Sequence, residues 1–463
     1  MGTSNLSRKR LLLVGCCAAL VSVGLVVGFL FTLLPGRGRQ LPRPAAPGEP
    51  PGVGPGPISL PAVPEDATVD QIVGMAKQVG ARLVASFPQS PQAHCVLGEV
   101  EYRFGNSAGA VRHWERCLEL DPRFVEAYYR IAMDAMNKGD DGKAAQLLRR
   151  AMKTLPRAPQ LANQLAKALM NQGELDQAMA VLKDNLRVVP DFAGNHFLAG
   201  QILLLQEKYQ EAAGYLERAL AIEPDYSHAC FALATVYARL GDGAKARQYR
   251  ERFAQLRAEE EKQEIDELRR LEDRSTVLHF LACAYRDAAR VYYFHGDQAA
   301  AEAHWVAAAR IGPEDVESRL ALVQLYLKRG RARDALEGYR ELSRMEPQRL
   351  DYLLEIGRLC AELGQFEGAE EAFRRCSQVA PQRAVGYAAL ARLYLRARRK
   401  LAEVPALAEK AVQLEPTARN LFLLSAARES CGDRQGALLA LKKAIELDPD
   451  NPLYRQAYES FSQ

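Results

Sequence analysis

Seven histidines and nine cysteines are the side chains of this sequence best suited to metal binding or nucleophilic chemistry. The histidines are His94, His113, His196, His228, His279, His295 and His304. Cys16 and Cys17 lie in an apolar N-terminal run, and the other cysteines are Cys95, Cys117, Cys230, Cys283, Cys360, Cys376 and Cys431. His113 and Cys117 stand four residues apart, as do His279 and Cys283, so each pair shares one helix face and is able to chelate a metal ion. No further ligands accompany either pair, and a structural zinc site needs four. The seven cysteines outside the apolar run are odd in number and show no C-x-x-C. A disulfide framework, a zinc ribbon and covalent haem attachment therefore lack their spacing, and small buried thiols are the fitting expectation. The sequence shows no nucleophile elbow, no glycine-rich phosphate loop and no H-E-x-x-H. Carboxylate pairs are too numerous along polar helix faces to single any out. The chain is expected not to be an enzyme and to need no cofactor and no metal.

Ala193 to Pro224 shows what the sequence offers instead. It reads as two short amphipathic helices, with Leu198, Ile202 and Leu205 on one face of the first. Ala212, Leu216, Ala219 and Leu220 share a face of the second, and Pro224 ends the unit because it has no backbone N–H to donate. One such hairpin cannot bury its apolar face alone and needs copies beside it. The copies recur about every 34 residues. The small residues of the first helix are Gly98, Ala132, Ala166, Gly200, Ala234, Ala289, Val323, Gly357, Ala391 and Ser425. Turn glycines fall at Gly105, Gly139, Gly173, Gly241, Gly296, Gly330, Gly364 and Gly432. Large aromatics recur as Tyr237, Tyr292, Tyr326 and Tyr394 in first helices, and as Trp114, Trp305, Tyr339 and Phe373 in second helices.

On these residues the chain resembles the tetratricopeptide repeat (TPR) family over residues 89–450, with about ten repeats. The resemblance implies an all-α, right-handed superhelical solenoid of helix-turn-helix repeats, with a concave groove lined by the first helices. The domain expectation is two blocks of five repeats, residues 89–258 and 282–450, joined by a charged helical extension over 259–281. From Ala244 the second helix of the fifth repeat, which lacks its proline, runs on to about Arg274, roughly 45 Å at helical rise. Residues 65–88 form an amphipathic helix closed by Pro88, the second half of a unit used as a cap, and residues 451–463 cap the other end. One repeat departs from the pattern: Arg398 stands where a turn glycine is expected, with Arg396, Arg399 and Lys400 around it.

The resemblance also implies which residues point inward. Chaperone-binding members hold a peptide carboxylate with a Lys/Asn/Asn/Lys/Arg set, which Cys95, Glu99, Arg130, Gln160 and Gln164 do not reproduce. Sugar-transferring members carry an asparagine ladder, which Asn163 and Asn195 do not make. One inward place reads Glu99, Met133, Lys167, Gln201 and Thr235 in the first block, and Arg290, Gln324, Arg358 and Arg392 in the second, with Arg286 one turn before Arg290. Phe197, Leu204 and Phe231 add apolar surface to the first block. The candidate partner-binding residues are Asn163, Lys167, Phe197, Gln201, Phe231, Arg286, Arg290, Arg358 and Arg392. Guanidinium groups on a concave wall suit carboxylate or phosphate ligands, so the expected ligand is an extended peptide, apolar at one end and acidic at the other. The competing reading is that the arginines pair with neighbouring acids such as Asp287, Asp351 and Glu355.

The N-terminus sets the location. After a short basic tail of residues 1–10, Leu11 to Leu34 runs 24 residues without a charge, long enough as a helix to cross a hydrocarbon core of roughly 30 Å. A cleaved signal peptide has a shorter apolar core of roughly 7–15 residues. Leu13-Val14-Gly15-Cys16 resembles a lipobox, but only five apolar residues precede Cys16. Gly2 lacks the Ser or Thr that myristoylation wants at Leu6. A single-pass membrane anchor is the expectation, with the repeats on the non-cytoplasmic side by a small excess of basic charge. Residues 35–64 hold ten prolines and six glycines and read as a disordered spacer. Residues 1–64 carry six basic side chains against Glu49 alone, so the net charge of +4 leaves the other 399 residues at −1. The repeats therefore have no nucleic-acid-binding charge balance. The function expected is a membrane-anchored scaffold or adaptor that binds proteins or peptides. The alternative is a non-catalytic accessory subunit of an envelope assembly or export complex.

Overall fold

The structure, a computed structural model, describes residues 60–271 and 274–462, and the side chains of all of these except 259–271. The apolar run 11–34 and nearly all of the 35–64 spacer lie outside the described residues. Among the described residues no helix is long and apolar enough to cross a membrane. The same residues contain twenty-two α-helices, one short 3-10 turn and no strand. They divide into two compact units, Phe87–Val277 and Ile58–Ser86 with Leu278–Gln463.

The first unit is five helix hairpins: α2 (Pro91–Arg103) with α3 (Ser107–Leu120), α4 (Val125–Asn137) with α5 (Asp141–Thr154), α6 (Pro159–Asn171) with α7 (Leu175–Val188), α8 (Ala193–Leu205) with α9 (Tyr209–Ile222), and α10 (Ser227–Arg239) with α11 (Gly243–Leu271). The second unit also holds five: α12 (Arg274–Phe294), which enters it at Leu278, with α13 (Gln298–Ile311), α14 (Val316–Lys328) with α15 (Ala332–Met345), α16 (Leu350–Glu362) with α17 (Phe366–Val379), α18 (Ala384–Ala397) with α19 (Val404–Leu414), and α20 (Ala418–Glu429) with α21 (Arg434–Leu447). A last helix, α22 (Pro452–Ser462), packs on α21. α11 has 29 residues, which at about 1.5 Å each makes it roughly 43 Å long.

Local chemistry explains the hairpins. Asn106, Asp140, Asp297, Asp315 and Asp433 each accept a backbone N–H three residues on, closing the start of the following helix. Such a cap stabilises by about 1 kcal/mol. The eight turn glycines all have φ between 70° and 87°, a region that costs other residues energy. Two non-glycine residues share it in equivalent turns, Glu207 (φ 60°) and Arg398 (φ 50°). Small residues in the first helices let large ones of the partner helix approach. A Cβ on Gly200 would lie 2.5 Å from Leu216, and one on Gly357 would lie 2.2 Å from the Phe373 ring. Trp114, Trp305, Tyr339 and Phe373 are all buried between hairpins. Leu205, read from sequence as part of the buried face, is 63% exposed. It is the last residue of α8, at the turn into α9.

The N-terminal cap helix, α1 (Val69–Ser86), belongs to the second unit, although the first unit follows it in the chain. Ile72, Ala76, Val79 and Leu83 are buried along one face of α1. Ser86 Oγ lies 3.4 Å from the Tyr292 hydroxyl on α12. Met75 and Arg82 line a cavity of about 320 Å³ together with Tyr285, Tyr292 and His304 of the first hairpin of that unit.

Candidate partner-binding walls

Each unit presents a wall of first helices. In the first unit α4 contacts α6, α6 contacts α8 and α8 contacts α10, and in the second α16 contacts α18 and α18 contacts α20. Side chains at repeated places of these helices can therefore act on one extended ligand.

The first-unit wall is charged at its start. Glu99 pairs with Arg103 at 2.9 Å and with Arg130 at 3.2 Å, and Arg130 also pairs with Glu126 at 2.7 Å. Asn163 is engaged internally: its Nδ2 donates to Asn195 Oδ1 at 3.2 Å. Asn195 donates to Asn185, and Asn185 donates to the Pro156 carbonyl. This buried amide chain satisfies groups that would otherwise cost about 1–3 kcal/mol each if left unpaired, and it takes Asn163 out of the ligand set. Phe197 is also a packing residue, 8% exposed and 4.9 Å from the Tyr226 ring. Phe231 differs: it is 57% exposed and rests on Phe253. Gln201 is half-buried, and Lys167 reaches solvent from between the helices. That crowding removes water around the Lys167 ammonium and lowers its pKa.

In the second unit three of the four candidate arginines are already paired. Arg286 lies 3.3 Å from Glu317 and 3.7 Å from both Asp287 and Asp315. Arg290 meets Glu317 at 2.8 Å and Asp287 at 3.2 Å. Arg358 meets Glu355 at 2.7 Å and Glu362 at 2.6 Å. The competing reading from sequence holds for these residues, with Glu317 and Glu362 as unforeseen partners and Asp351 not involved in their ion pairs. Arg392 is different. It is exposed on α18, and no ion pair involves it among the described residues. Burial of its stem and the positive charge of Arg419 on α20 both lower its guanidinium pKa. Two cations on adjacent helices, neither in an ion pair among the described residues, form an anion-attracting place. Arg419 was not singled out from sequence; it sits two residues after the Thr417 cap, away from the place that Arg290, Arg358 and Arg392 share.

The basic turn after α18 is not a second such place. Arg399 pairs with Glu367 at 3.1 Å and lies over the Phe366 ring at 4.1 Å. Lys400 pairs with Glu370, which also meets Arg374 at 2.8 Å and accepts from the Tyr394 hydroxyl. These contacts hold a turn that has no glycine. The metal readings from sequence also find no support here. His279 Nε2 and Cys283 Sγ are 3.6 Å apart, but among the described residues no three His, Cys, Asp or Glu side chains are placed to hold a metal ion.

The fold defines an all-α helical repeat protein. The repeats are tetratricopeptide repeats: models described as "Tetratricopeptide repeat" match residues 95–162 and 320–384, 203–262, and 418–451. A model described as "Anaphase-promoting complex, cyclosome, subunit 3" matches residues 137–219. No curated protein sequence matches the chain significantly. Among solved structures the chain is similar to MamA, at 19% identity over 36% of this chain and 97% of that one, with a TM-score of 0.32. It is similar to YrrB, described as a TPR protein with an unusual peptide-binding site, at 17% identity over 38% and 92%, with a TM-score of 0.33. Yeast Tom70 matches at 14% identity over 80% of this chain and 95% of its own, with a TM-score of 0.31. Likenesses of this strength say nothing of what this chain binds.

Proposed function

We propose that this chain is a membrane-tethered, non-catalytic scaffold that holds an acidic protein segment against the first-helix wall of its second unit. The observation that carries the reading is the contrast among the wall arginines: Arg286, Arg290 and Arg358 are neutralised by acids, whereas among the described residues no ion pair involves Arg392 or its cationic neighbour Arg419. A carboxylate placed there gains charge-assisted hydrogen bonds and relieves the repulsion. A preformed wall also loses little ordering entropy on binding. The tether is Leu11 to Leu34, 24 uncharged residues, with the spacer behind it and the repeats on the non-cytoplasmic side.

The test is a titration of a fluorescent glutamate-rich peptide against the full chain in detergent micelles. Arg392→Ala is expected to weaken binding about ten-fold, the value of roughly 1.5 kcal/mol for a charged hydrogen bond. Arg358→Ala, whose guanidinium already has two acids, should change it little. Equal affinity for wild type and Arg392→Ala would end the proposal. Resistance of the chain to alkaline extraction from membranes, and protease protection in intact cells, test the tether and its orientation.

A further inference from the structure

We propose that Cys95 and Cys117 are a convertible dithiol that becomes a disulfide by exchange with a small disulfide oxidant. Cys95 stands on α2 and Cys117 on α3, and both pack in one apolar cluster with Trp114 and Ile131. Pro91, whose carbonyl the Cys117 thiol reaches, stands one helical turn before Cys95 on α2, so the Cys117 sulfur lies against the turn that carries Cys95. Cys117 is fully buried, and its thiol donates to the Pro91 carbonyl at 3.0 Å. Cys95 is partly exposed. That difference sets the order of events. The Cys95 thiolate attacks one sulfur of the oxidant, forms a mixed disulfide and releases one thiolate, which takes up a proton. Cys117 gives up its proton, attacks the Cys95 sulfur and releases the second thiol. Two S–H bonds are lost, one S–S bond forms, and the oxidant leaves as two thiols.

Contact with Cys117, burial and the charge of Glu126 hold the Cys95 thiol above its ordinary range, with Arg130 opposing them. The thiolate fraction is therefore small, and conversion is slow unless the oxidant is sustained. Cys360 and Cys376 provide an internal control. They share the α16–α17 hairpin, but Cys360 contacts Gln365 and Arg340, while Cys376 feels Arg383 and Asp351 at the far end of the hairpin. The bridge would fasten α2, which carries Glu99 and Arg103 of the first wall, to α3.

The experiment treats the folded full chain in micelles with oxidised glutathione at mildly alkaline pH, followed by intact mass and peptide mapping. The expected product is lighter by two hydrogens, carries a Cys95–Cys117 cross-linked peptide and reverts with dithiothreitol. Cys117→Ser should stop at a glutathione adduct on Cys95, and Cys95→Ser should leave Cys117 unmodified. Circular dichroism confirms that each variant keeps its helix content. An unmodified wild type, a wild type that stops at the adduct, or a bridge at Cys360–Cys376 would overturn the proposal. None of these results bears on the acidic-segment reading, which concerns the other unit.

Discussion

Replacing Gly386 with alanine should destabilise the second unit, and the size of the effect follows from the contact it makes. Gly386 lies in the first turn of α18, where it crosses the end of α17. A Cβ there would lie 2.6 Å from the backbone nitrogen of Ser377, 2.9 Å from its Cα and 3.0 Å from its Cβ. Two of those atoms are backbone, so no rotamer change relieves the clash and the helices must separate by several tenths of an ångström. Overpacking of this kind costs about 1–3 kcal/mol. Alanine returns about 1 kcal/mol of helix propensity over glycine, which leaves a net loss of roughly 0–2 kcal/mol. Gly74 on α1 is the matched control in the same unit, because a Cβ there meets nothing within 4 Å. Gly74→Ala should stabilise by about 0.5–1 kcal/mol through propensity alone. Urea unfolding followed by far-UV circular dichroism reads both. A Gly386→Ala midpoint above wild type, or a Gly74→Ala midpoint below it, would refute the packing argument.

Three further outcomes follow from the same structure. Arg398→Gly should raise stability by about 0.5–1 kcal/mol, because glycine removes the cost of a left-handed backbone and loses part of the gain in unfolded-state entropy; an unfolding midpoint below wild type would show that the Arg398 side chain matters more than its backbone. Glu370→Gln should cost about 2 kcal/mol, since it removes the carboxylate shared by Lys400, Arg374 and Tyr394, and urea unfolding measures it. Acid should weaken both units. Burial lowers the pKa of His113 in the first and of His304 in the second below the ordinary 6.5, so the unfolded chain binds more protons and stability falls as pH drops through the window below 6.5. Glu370 acts lower: burial alone would raise its pKa, but Lys400, Tyr394 and Arg374 prevail and depress it. Its contribution is present above its ordinary 4.5 and is lost as pH falls through the depressed value. Unfolding midpoints measured across this range should fall toward acid, and His113→Gln with His304→Gln should flatten the upper part of the curve.

The repeat was legible because each of its parts has a local cause. The turn glycines mark positive φ, the small first-helix residues mark close approach, and the buried aromatics fill what lies between. Arg398 was legible only as an arginine at a turn-glycine place, and Glu207 not at all, because their left-handed turns are set by the flanking helices against local preference. The place of α1 was not legible either. Its apolar stripe says that it must be covered, but chain order does not say by which hairpin. The wall was half legible. Glu355 and Glu362 lie three and four residues from Arg358 and predict its pairing, whereas Glu317 reaches Arg290 from a helix 27 residues on. Asn163 was read as facing a ligand, but its partner Asn195 comes from the next repeat, at a separation that helical periodicity does not encode.

If charge at Arg392 and Arg419 selects the partner, swapping that charge should swap the preference. The wild-type chain and an Arg392→Glu/Arg419→Glu variant would each be titrated with a glutamate-rich and a lysine-rich peptide of equal length, at low and high salt. Wild type is expected to prefer the acidic peptide and the variant the basic one, with salt weakening both preferences. The same preference in both proteins would contradict selection by charge.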